Sequence, residues 1–139
     1  TVEGWLYRLT GGQSNHSIFC TGTGWNTANS ISFLEYNGDY AWSMDTGVFV
    51  SSTSTSAATD QWIHFAITRA GSTCTLWIDG TSVATLTSSR DYTVSNFQVG
   101  YDYTGSWGYL YGYIQDLRIT KGLARYTSSF TPPTSELQG

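Results

Sequence analysis

Gln61-Trp62-Ile63-His64-Phe65-Ala66-Ile67-Thr68-Arg69 and, after a Gly71-Ser72 turn, Cys74-Thr75-Leu76-Trp77-Ile78-Asp79-Gly80 alternate side by side along the chain. Ile63, Phe65 and Ile67 fall on one side of an extended backbone, with Trp62, His64 and Thr68 on the other. Cys74, Leu76 and Ile78 repeat the pattern opposite Thr75, Trp77 and Asp79. A period of two marks half-buried strands, because successive side chains point to opposite faces of a sheet. Asp79-Gly80 tolerates the positive φ of a type I′ turn and leads into another strand over Ser82 to Leu86.

The same period extends in both directions. Towards the N-terminus it predicts strands over Val2 to Leu9, His16 to Thr21, Ser30 to Tyr36, Asp39 to Met44 and Gly47 to Ser51. Asn37-Gly38 closes the third and fourth into a hairpin, and the polar run Ser52 to Asp60 reads as a loop. Towards the C-terminus, strands are expected over Asn96 to Tyr101 and Tyr109 to Ile119. In the last of these Ile114 and Leu117 lie three apart, so a β-bulge near Gln115-Asp116 is needed to bury both. From Lys121 the chain reads as a polar tail, and Pro132-Pro133 ends regular pairing. About ten short strands with no periodic helix imply an all-β, two-sheet antiparallel sandwich or jelly roll.

Composition agrees. The 139 residues suit one domain, read as 1–139 with 121–139 as its tail, and include 6 Trp, 10 Tyr and 6 Phe. Six basic against 10 acidic residues give a charge of −4, the wrong sign for binding a phosphate backbone, so nucleic acid is not an expected partner. No apolar run is long enough for a membrane-spanning helix. Thr1 is not an initiator residue, and the chain is expected to be a segment of a larger protein. Cys20 and Cys74 both sit in alternating apolar segments. They read either as buried thiols or as one cross-strand bridge.

Two segments resemble laminin-G-like jelly rolls of the concanavalin A-like lectin/glucanase superfamily. One is Trp62 to Arg69 with Cys74 to Gly80. The other is Gly112-Tyr113-Ile114-Gln115-Asp116-Leu117-Arg118-Ile119-Thr120-Lys121-Gly122-Leu123-Ala124-Arg125-Tyr126 with Phe130-Thr131-Pro132-Pro133. Val2-Glu3-Gly4-Trp5-Leu6-Tyr7 is similar to the family's early strand. The last motif resembles copies in phage and other viral virion proteins and in bacterial surface proteins. Family members carry a further strand and loop before the position of Thr1. The resemblance therefore implies a jelly roll lacking its first strand in this chain, or one completed from elsewhere.

Glucanases of that superfamily place an acid and a nucleophile about 5–5.5 Å apart on one strand face. Here the three Glu (Glu3, Glu35, Glu136) have no second acid two residues away, and Arg118 follows Asp116 where a carboxylate would belong. No Gly-x-Ser-x-Gly elbow occurs, since Gly105-Ser106-Trp107-Gly108 has the wrong spacing. His64 reads as a ring packed and hydrogen-bonded within the sheet, His16 as a strand-start residue facing solvent. The chain is expected to be a non-enzyme without a cofactor. Metal ligands are not expected, apart from the weak calcium candidates Asp45 and Asp102, residue types that more often simply form turns.

Glycan binding has more physical support, because sugars present apolar C–H faces ringed by hydroxyls and call for an aromatic platform beside polar partners. Trp25, Asn26 and Asn29 offer this mixture in one loop, and Tyr101, Asp102, Tyr103, Trp107 and Tyr109 in another. The competing reading folds the two indoles back as plugs of the sandwich. Tyr40 with Trp42, and Trp5 with Tyr7, are core if their sheet is covered and groove if it is not. The expected function is a non-catalytic adhesion module binding cell-surface or polymeric glycan through loops at one rim, on a virion or cell surface. The alternative is a structural module whose aromatics contact other chains of an assembly.

Overall fold

The computed structural model describes residues 1–12, 14–22, 24, 27–44, 49–50 (backbone only), 55–93, 96–101 and 108–138. Among the described residues, ten strands form two five-stranded antiparallel sheets. The chain divides into two compact units, one around each sheet.

The first unit comprises Thr1–Arg8, Ala58–Ser89 and Gly112–Gly139. Its sheet runs β10(Gly112–Ile119), β1(Val2–Arg8), β6(Trp62–Ala70), β7(Thr73–Ile78), β8(Thr81–Thr87). β1 is thus an interior strand, flanked on both sides. One face carries Leu6, Ile63, Phe65, Ile67 and Leu76, all nearly or wholly buried, as the alternation required. Asp79 and Gly80 both take positive φ, the type I′ signature of their hairpin.

The expected bulge is present. Glu3 faces Arg118 and Trp5 faces Gln115, so Gly4 alone stands opposite Asp116 and Leu117, and Asp116 adopts a left-handed φ of 52°. Leu117 and Ile114 are both half-buried as a result. Gly4 suits this place because a Cβ there would press on Gln115 O, Leu117 Cα and the Phe65 ring, each at 3.3 Å.

The second unit, Leu9–Ala57 and Arg90–Tyr111, holds β5(Phe49–Val50), β4(Asp39–Met44), β3(Ile31–Tyr36), β2(His16–Thr21) and β9(Phe97–Val99) in that lateral order. Both faces of β2, β3 and β4 are buried. Tyr40 and Trp42 are core residues at 1 % and 0 % exposure, so they do not line a groove. Phe19 stacks on Phe97 at 5.3 Å and Phe33 on Tyr40 at 5.7 Å. Cys20 and Cys74 are buried and not joined in a disulfide, which removes the cross-strand bridge.

Candidate functional site

Each histidine of the chain sits against a buried glutamate. In the first unit, alternation along β1 sends Glu3 to the face opposite Leu6, where it is completely buried. Arg118 answers across the strand pair, donating from Nη2 at 2.8 Å and Nε at 3.1 Å to Glu3 Oε1. Tyr126 donates its hydroxyl to Oε2 at 2.7 Å, and His64 Nε2 stands 3.5 Å from the same oxygen. Burial pushes the Glu3 carboxyl up; the His64, Tyr126 and Arg118 hydrogen bonds and the Arg118 charge outweigh it and hold the group at about 2. Tyr126 is pushed up to about 12, by burial first and then by donating to the carboxylate.

Aromatic rings wall this network in. His64 meets Trp5 edge-on at 5.3 Å, Phe130 at 5.7 Å and Tyr126 at 6.2 Å, while Phe130 stacks on Tyr126 at 3.6 Å and touches Trp77 at 5.8 Å. Residues 121–138, expected as a polar tail, are therefore docked through Tyr126 and Phe130. Phe130 N donates to Gly80 O at 3.1 Å, and a Cβ on Gly80 would collide with the Phe130 carbonyl. Glu3 and His64 have no side-chain exposure. Buried on all sides, this cluster joins the C-terminal segment to β1 and β6.

The second pair is His16 and Glu35, 3.3 Å apart and at most 2 % exposed. The expectation that His16 faces solvent is wrong. Glu35 turns inward because its carboxylate caps two turns: it accepts from Asn15 N at 3.0 Å and Gly38 N at 2.6 Å. Asn15 Oδ1 in turn accepts from Asn37 N at 3.0 Å. Asn15 and Asn37 take left-handed conformations, φ 71° and 52°, so the turns present these acceptor–donor pairs at fixed positions.

This polar knot lies at the end of the sheet from which the late loop emerges. Gly108 N donates to Asn15 O at 3.0 Å, Ser17 N donates to Gly108 O, and Leu110 N donates to Gly100 O at 2.9 Å. Tyr101 and Tyr109, both glycan-binding candidates by sequence, stack here at 4.7 Å with planes 18° apart. Tyr109 is 73 % exposed. Spacing along the chain does not bring Asn15, Asn37 and Glu35 together; their proximity follows from β2–β3 pairing.

The early loop is elsewhere. β9 runs antiparallel to β2 with Thr21 opposite Phe97 and Phe19 opposite Val99, and Gly22 N donates to Asn96 O. The connection from β2 to β3 therefore leaves the opposite end of β2, about 17 Å away along the strand. Asn29 occupies its last turn at φ 59°, next to Ser30, which donates from N and Oγ to Thr27 O. The described flanks of the two loops thus lie at opposite ends of β2, where one shared rim was expected. Trp25, Asn26, Asp102, Tyr103 and Trp107 lie outside the described residues, as does Asp45. Among the described residues, no group of three His, Cys, Asp or Glu side chains is placed to hold a metal ion. No helix among them is long and apolar enough to cross a membrane.

A laminin G family model, described as the concanavalin A-like lectin/glucanases superfamily, matches residues 1–124. The chain belongs to this superfamily, and its all-β, two-sheet architecture is the jelly-roll class expected from sequence. Domains of this kind are generally non-catalytic, and the family suggests a carbohydrate-binding or adhesion-type module. No curated protein matches the chain significantly.

Proposed function

We propose that this member of the concanavalin A-like superfamily is a non-catalytic glycan-binding module of a surface-exposed protein, a phage or viral fibre or decoration protein foremost. The observation that carries the reading is the Tyr101–Tyr109 stack, with its outer ring 73 % exposed beside turns rich in backbone and amide groups. A stacked pair holds Tyr109 at one orientation, so little side-chain entropy is lost when a sugar face settles on it. The scarcity of charge, 12 % of residues, suits an uncharged polyol better than a polyanion.

Retention on arrays and columns of neutral polysaccharide tests this. Tyr109→Ala and, in the same loop, Trp107→Ala are expected to weaken retention at least about tenfold. Trp25→Ala, in the connection between β2 and β3, reports whether that segment of the chain binds independently. Wild-type protein that is retained by no glycan but assembles with other chains through these residues would replace the reading with the structural one.

A further inference from the structure

The face of the first unit's sheet that carries Glu3 and His64 is only partly covered by the C-terminal segment. Beyond it, strand register sets three aromatic residues in one row: Tyr7 of β1 lies opposite Trp62 of β6 on one side and Tyr113 of β10 on the other. Their rings touch in sequence, Tyr7 to Trp62 at 5.4 Å and Tyr7 to Tyr113 at 6.1 Å. Trp62 is 42 % and Tyr113 59 % exposed, while Tyr7 is the half-buried wedge between them. Two residues further along the same face, Trp5 lies opposite Gln115, whose amide is exposed. Elsewhere this face hides its aromatics under Tyr126 and Phe130; here it leaves them in water.

We propose that this row is a second binding surface, for an unbranched, neutral polysaccharide of pyranose sugars lying across β6, β1 and β10. Trp62 and Tyr113 stand two strand spacings apart, about 10 Å, and Tyr7 props both at fixed tilts. Two well-held apolar contacts on a line fit a chain that repeats its apolar C–H faces, and the Gln115 amide offers a donor and an acceptor to its hydroxyls. The row Tyr113–Tyr7–Trp62 contains no formal charge, which matches a neutral ligand and gives a polyanion nothing to pair with. Size argues against a protein partner. Three part-exposed rings offer roughly 300 Å², well under the ~800 Å² per side of a stable protein interface.

The proposal rests on the glycan-binding reading but uses different residues, so one experiment separates them. Affinity electrophoresis through native gels cast with hydroxyethylcellulose, galactomannan or xyloglucan would compare wild type with Trp62→Ala, Tyr113→Ala and Tyr109→Ala. Urea midpoints confirm that each variant folds. Retardation about tenfold weaker in both Trp62→Ala and Tyr113→Ala supports the sheet surface. Loss confined to Tyr109→Ala overturns it and leaves the loop reading standing; loss confined to the sheet variants does the reverse. Absence of retardation for wild type overturns both. A concentration-dependent dimer abolished by Trp62→Ala would assign the row to a second copy of the chain and overturn the proposal.

Discussion

Glu3 shows how much a single side chain can tie together: its two oxygens receive Arg118, Tyr126 and His64 from three parts of the chain. Because folding lowers its pKa from an ordinary 4.5 to about 2, its ionisation stabilises the fold fully above pH 4.5 and that contribution disappears as pH falls through 2. Urea midpoints should therefore decline between pH 4.5 and 2 in wild type. Glu3→Gln should lower stability by on the order of 3 kcal/mol at neutral pH, since it strands buried partners, and should flatten that decline. Backbone positions are equally discriminating. Gly38 and Gly80 share a left-handed conformation, yet a Cβ on Gly38 meets nothing within 4 Å while one on Gly80 meets Phe130. Gly38→Ala should cost about 1 kcal/mol of strain and Gly80→Ala clearly more, about 2–4 kcal/mol. The type I′ turns were legible from their dipeptides. Glu3's role was not, because its partners lie 115 and 123 positions away.

At the level of elements, period-two alternation located the ten strands of the described residues, and the broken spacing of Ile114 and Leu117 located the bulge in β10. Alternation reports which residues share a face, but it is silent on what covers that face. Hence alternation places His16 towards solvent although Glu35 draws it inward, and it reads the chain from Lys121 as a polar tail although Phe130 seals Trp77 and His64. Phe130→Ala should lower stability by about 2 kcal/mol, less than for a fully buried ring because Phe130 is only half-buried. Phe130→Leu, which retains much of the apolar contact, should recover part of the loss; thermal melting of the three proteins checks both. The placement of the two candidate loops belongs to this scale too. Only the antiparallel pairing of β9 with β2 sends their described flanks to opposite ends of β2.

For the whole molecule, low charge and abundant aromatics predict how binding responds to solvent. A neutral ligand held by ring faces should show affinity that changes less than about twofold between 50 mM and 500 mM salt. A polyanion would lose orders of magnitude over that range. Titration of wild-type protein with neutral polysaccharide at both salt concentrations distinguishes the two.

By itself the sequence determined the all-β class, the strands, the tight turns and the family, because these depend on local periodicity and on residues that tolerate particular φ values. Only the tertiary structure decided which polar side chains were taken out of water and which aromatic rings were left in it. Both outcomes depend on contacts between residues far apart in the chain, such as Glu3 with Arg118 and Tyr7 with Trp62 and Tyr113. Burial of a charge is tolerated only where such distant partners converge on it.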